Sequence, residues 1–154
     1  MKAAVLLVIA LGCGVPALSR SEPPPVEIPN TLDQAYGVLD RLLSPADRHA
    51  FMSTPEQEAV TRAHMGLGLY IRNKWFRSGK SALPGVLYDF GARSFDDMSG
   101  MVLTSYWRHL NGKPIDIEKQ GACYRRWFDE EQRLESDAKA KGESSYKLPS
   151  FDCP

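Results

Sequence analysis

From Asn30 onward the chain repeats one pattern: a polar helix-starting residue, apolar residues three and four positions apart, then proline or glycine. No stretch alternates apolar and polar residues over the length of a strand, so the pattern points to helices alone. Thr31-Leu32-Asp33-Gln34 has the form of a capping box, with Thr31 accepting from a first-turn N–H and Gln34 reaching back. Leu32, Ala35, Tyr36, Leu39, Leu42 and Leu43 then share one face. Ser44-Pro45 stops that helix and starts a short one through Met52. Thr54-Pro55-Glu56-Gln57 reads as a further start, and Ala59, Val60, Ala63, Leu67 and Ile71 carry its stripe to about Arg72.

A turn-rich stretch, Arg77 to Ser81, precedes a shorter segment with Leu83, Leu87 and Phe90, which Gly91 breaks. Ser94-Phe95-Asp96-Asp97 is another capping signature. It leads into Met98, Met101, Val102, Ser105 and Tyr106, with Asn111-Gly112 as the stop. After Pro114 a long helix is predicted from about Asp116 to Lys141, with Ile117, Tyr124, Trp127, Phe128 and Leu134 facing inward. The fold class is therefore all-α: one compact domain of about five or six helices, with a long C-terminal helix and an irregular tail.

The first residues follow a different logic. Lys2, an unbroken apolar run from Ala3 to Leu11, and the breakers Gly12, Pro16, Ala17 and Ser19 have the layout of a secretory signal peptide. The run is too short for a membrane span. Cleavage near Ala17-Leu18-Ser19 makes residues 1–19 the leader. The alternative is Ala10-Leu11-Gly12-Cys13 as a lipoprotein box, with a leader of residues 1–12 and a lipid on Cys13. Residues 20–29 then form a proline-rich spacer, residues 30–141 the helical domain and residues 142–154 the tail. Either route exports the protein to a periplasmic or secreted location, with a membrane reached only through a lipid at Cys13.

Export bears on the cysteines. With Cys13 in the leader or under a lipid, Cys123 and Cys153 remain as one pair, and an oxidising compartment favours a disulfide over two unrelated thiols. No spacing of Cys or His suits a structural metal, and neither a metal nor a cofactor is expected. The 19 basic and 19 acidic residues cancel, and no basic block interleaves with aromatics. Nucleic acid is not an expected partner.

Residues 64–75 are the densest unusual stretch. Gly66 and Gly68 lie inside a helical pattern, which suggests that another backbone or a ligand comes close. His64, Gly68 and Arg72 fall one turn apart on a common face. A His and an Arg beside bare glycine would suit an anion, whereas the plainer alternative is helix packing with Arg72 paired to an acid. Asp97, as the third residue of the cap, leaves Asp96 free to meet Arg72 or Arg108. The candidate binding groove thus comprises His64, Arg72, Asn73, Trp75, Asp96, Asp97 and Arg108, with Trp75 as an apolar wall.

Other motifs fall away on inspection. Gly79-Lys80-Ser81 lacks the first glycine and the preceding strand of a phosphate-binding loop. Ser99 lacks the elbow glycine of serine hydrolases. His49, beside Arg48 on a polar helix, is most simply a surface residue.

His64, Leu67-Gly68, Ile71-Arg72-Asn73 and Trp75, then Asp96-Asp97-Met98-Ser99, then Leu110-Asn111-Gly112-Lys113 follow in an order that resembles an uncharacterised bacterial family, a domain of unknown function. The resemblance runs from about Ile28 to Gln120. That family's pattern carries a His-Pro pair just before the two acids, where this chain has Ser94-Phe95. The resemblance implies no activity. The residues alone favour a binding or interaction module of the bacterial envelope, its partner an unidentified protein or a small anionic ligand. The alternative is a small hydrolase or transferase with His64 as general base, oriented by Asp96 or Asp97.

Overall fold

A computed structural model describes residues 25–149 and Cys153. The expected leader, Cys13 and the spacer up to residue 24 lie outside the described residues. Within them every regular element is a helix. The helices are α1 (Leu32–Leu42), α2 (Pro45–Ser53), α3 (beginning as Glu56–Ala63), α4 (Leu83–Phe90), α5 (Phe95–Leu110) and α6 (Ile117–Ala140).

Local chemistry sets most boundaries. Thr31 accepts from the Gln34 N–H at 3.2 Å, and the Gln34 side chain reaches back to the N–H of Asn30 at 2.8 Å. Ser44 caps α2 through the Asp47 N–H, and Ser94 with Asp97 forms a complete capping box on α5. The expected start at Thr54 is different. Its hydroxyl donates backward to Ala50 O at 2.8 Å, closing α2, and Pro55 begins α3 without a side-chain cap. Gly91, at φ 131°, ends α4 in a conformation that a side chain would resist.

α5 is the hub. Helices α1, α2, α3, α4 and α6 all pack on it, and Met98 through Trp107 are buried without interruption. The sequence pattern showed a single apolar face, with Ser105 on it, because Ser99 and Thr104 read as polar. They are small enough to sit inside. Ser99 donates to Asp96 O at 2.9 Å, and Ser105 Oγ accepts from Gln120 Nε2 at 3.2 Å. Leu39, Ile71, Trp75, Leu83, Leu87 and Leu103 fill the surrounding core. Tyr106 donates to Asp40 Oδ1 at 2.9 Å, which ties α5 to α1.

α3 does not stop near Arg72. It continues to Phe76 through two wide turns of π geometry, His64–Gly68 and Ile71–Phe76. In the second, the Arg77 N–H reaches five residues back to Arg72 O at 3.0 Å. Part of the expected spacer also joins the body: Pro29 is buried and its carbonyl accepts from Ser81, while Glu27 pairs with Arg41 at 2.6 Å.

α6 approaches closely enough for backbone to meet backbone. A Cβ on Gly121 would collide with the Phe90 carbonyl, so the glycine lets α6 lie directly on the end of α4. The expected inward residues Ile117, Tyr124, Trp127, Phe128 and Leu134 are only half-buried, and the fully buried positions are Gln120, Gly121 and Ala138. Beyond Gly142 (φ 71°) the tail turns back along α6. The Tyr146 hydroxyl lies 3.5 Å from Glu131, and Cys153 forms a disulfide with Cys123 across a Cα separation of 5.6 Å.

Candidate functional site

The two wide turns of α3 direct His64 and Arg72 toward the first turn of α5. Arg72 is buried, 6% exposed, and its Nε donates to Asp96 Oδ1 at 2.9 Å while Nη1 donates to Ser99 Oγ at 2.9 Å. Gly68 makes room for this. A Cβ there would stand 3.1 Å from Arg72 Nη1 and 3.5 Å from Leu103 Cδ1. Gly66 has a different setting, since a Cβ at that position would meet nothing within 4 Å. One of the two glycines thus serves a close approach, and what comes close is the chain's own guanidinium.

His64 Nε2 lies 3.7 Å from the same Asp96 oxygen that Arg72 occupies. That separation exceeds hydrogen-bond reach, so no His–Asp pair oriented for proton transfer is assembled. Asp97 is engaged by the cap, its Oδ2 accepting from the N–H groups of Ser94 (2.8 Å) and Arg93 (3.2 Å). Both carboxylates occupy the positive end of the α5 dipole, where a negative charge is favoured.

In front of these groups opens a cleft of about 490 Å³ between α3, the start of α5 and α6. His64, Asp96, Asp97 and Tyr124 line it with Val60 and Met65. A smaller hollow of about 210 Å³ shares Asp97 and Tyr124 and adds Trp127. Cys153 borders both, so the disulfide-held tail forms part of the wall. Burial, and secondarily the charge of Asp97, push the Tyr124 hydroxyl well above its ordinary value, which keeps it protonated as a donor. Among the described residues no group of three His, Cys, Asp or Glu side chains is placed to hold a metal ion.

Three residues of the expected groove come together: His64, Arg72 and Asp96, with Asp97 beside them. The others do not. Arg108 is twelve residues along α5 from Asp96, a rise of about 18 Å, and pairs with Glu56 at 2.7 Å. Trp75 is fully buried in the core, and its indole N–H has no acceptor among the described residues. Asn73 is exposed and accepts from Arg77 at 3.0 Å. With Arg72 covered and paired and Arg108 remote, neither arginine lines the cleft. The sequence reading also missed Gln57, Met65, Tyr124 and Trp127. Only Tyr124 and Trp127 left a trace there, as aromatics on a helix too charged to be core throughout.

Residues 28–110, more than half of the chain, match the family described as a domain of unknown function, DUF6794. The chain belongs to that family. No curated protein and no solved structure shows a match. The DUF6794 region covers α1 to α5 and so contains His64, Arg72, Asp96 and Asp97, whereas Tyr124, Trp127 and Cys153 come from the segment beyond it. It ends at Leu110, short of the Gln120 to which the motif resemblance extends.

Proposed function

We propose that this DUF6794 protein is an exported module of the bacterial envelope that acts by binding a partner protein or small ligand in the cleft between α3, α5 and α6. One observation carries the reading. Two wide turns in a single helix, a costly and locally unusual geometry, place His64 and Arg72 on Asp96 at the edge of a concave, mixed polar and apolar surface. Export is supported by the leader pattern of residues 1–19 and by the Cys123–Cys153 bridge, which an oxidising compartment sustains. None of the described helices is long and apolar enough to cross a membrane. Whether the tether is a lipid on Cys13 or absent decides between an anchored and a free form.

The hydrolase or transferase alternative has weaker geometric support, because His64 stands beyond hydrogen-bond reach of Asp96 and Asp97 is held by the cap. Intact mass of protein recovered from its native envelope fraction tests the export reading. A loss corresponding to residues 1–19, or to residues 1–12 with a lipid added, supports it, as does a gain of two hydrogens on reduction. Full-length protein confined to the cytoplasm contradicts it. For binding, pull-down with Asp96→Ala and Arg72→Ala is the companion test. Loss of a captured partner at unchanged helicity supports the cleft, and unchanged capture makes the cluster structural.

A further inference from the structure

The charge of the cleft identifies the kind of ligand it suits. Among the described residues, no lysine or arginine lines either hollow. Asp96 and Asp97 do, and Arg72 compensates one of those charges from behind, where it is out of contact with anything entering. Counting His64 as neutral, Asp96 and Asp97 less the charge of Arg72 leave about one net negative charge at the cleft, with Asp96 largely open to solvent and within reach of an entering ligand.

The remaining lining is aromatic, thioether and amide rather than aliphatic. Tyr124 and Trp127 supply π surface, Met65 a polarizable side chain that is 70% exposed, and Gln57 a carboxamide. Carboxylates and aromatic rings lining the same hollow attract an organic cation twice: by Coulomb attraction, and through the ring quadrupole where a ring face is reached. An anion gains neither term and meets two carboxylates. A neutral apolar ligand would strand the Asp96 carboxylate against it.

The geometry points to a binding site for a small organic cation, an ammonium or quaternary ammonium group on a short apolar stem, seated against Asp96, Asp97 and Tyr124 and reaching the adjoining hollow that Trp127 lines with the same Asp97 and Tyr124. The inference rests on the reading of the cleft as a binding site and narrows it to one ligand class. It also gives the segment beyond the DUF6794 match a part in recognition, since both aromatics belong to α6.

The test titrates the full, oxidised chain with three probes of similar size while following the Trp127 and Tyr124 resonances by NMR. The probes are choline, its neutral carbon isostere dimethylbutanol, and the anion pivalate. Choline is expected to shift both signals saturably, and the neutral isostere to bind at least about tenfold more weakly. Asp96→Asn is expected to weaken choline several-fold and to leave the isostere unchanged. Should Asp96→Asn disturb the fold by circular dichroism, Trp127→Leu attacks the same site from the other wall and must weaken choline as well. If dimethylbutanol or pivalate matches choline, the cation inference is overturned while the cleft survives as a site. If no probe shifts either resonance, the cation inference is overturned, while the pull-down with Asp96→Ala and Arg72→Ala decides the binding reading separately.

Discussion

α5 and α6 meet their surroundings in opposite ways. α5 is buried from Met98 to Trp107 and touched by every other helix, so its stability comes from area removed from water on all sides. Of the 24 residues of α6, Gln120, Gly121 and Ala138 alone are buried. It is held to the body by discrete links: a glycine set against the Phe90 carbonyl, Gln120 donating to Ser105, and Ile117 and Tyr124 packed on the edge of the core, while the Cys123–Cys153 bridge clips the tail to α6 itself. The division nearly coincides with the end of the DUF6794 match at residue 110. A densely packed body thus carries the polar cluster, and a lightly attached hairpin of α6 and tail completes the cleft in front of it.

The contrast breaks most easily in the body. Trp75→Ala removes a fully buried indole beside Ile71 and Leu83 and is expected to cost about 3–5 kcal/mol by chemical denaturation. A loss below about 1 kcal/mol would mean that the body is not a close-packed core. Reduction of the disulfide comes next. The chain-entropy model sets about 3–4 kcal/mol as the ceiling for a loop of 30 residues. The observed loss should fall below that ceiling, because the released tail regains freedom in the folded state too.

Gly121→Ala sharpens the comparison further. A Cβ there meets backbone, which cannot rotate away as a side-chain tip can, so α6 must shift at a cost of about 1–3 kcal/mol. The effect should appear as lost order at Tyr124 and Trp127, with the environment of Trp75 unchanged. The smallest effect has the opposite sign. Gly66→Ala places a methyl in open space and should stabilise α3 by up to about 1 kcal/mol, read as a modest rise in Tm.

Helix starts and stops were legible wherever a side chain acts within its own turn. The caps at Thr31, Ser44 and Ser94 and the break at Gly91 follow from residue chemistry alone. Residue chemistry committed Asp97 to the cap and left Asp96 open to Arg72 or Arg108, and the crossing of α3 over α5 selects Arg72. Thr54 misled because its hydroxyl has two helix ends within reach and serves the earlier one. The π turns left no signal: an extra residue in a turn alters hydrogen bonding without altering composition. Trp75, Arg108, Tyr124 and Trp127 were misplaced or missed because their positions depend on how α3, α5 and α6 cross, which no local spacing encodes. The burial of Ser99 and Thr104 was hidden for a related reason, since small hydroxyls fit inside whether bonded within the helix, as Ser99 is to Asp96 O, or without a partner among the described residues, as Thr104 Oγ1 is.

Native-state hydrogen exchange on the full chain, oxidised and then reduced, tests this division most directly. The amides of α5 and of the Ile71–Phe76 turn are expected to keep near-global protection in both states, while the second half of α6 loses protection once Cys123 and Cys153 separate. Loss of protection in α5 in step with α6 on reduction would contradict it, showing one cooperative unit where two differently held regions are described here.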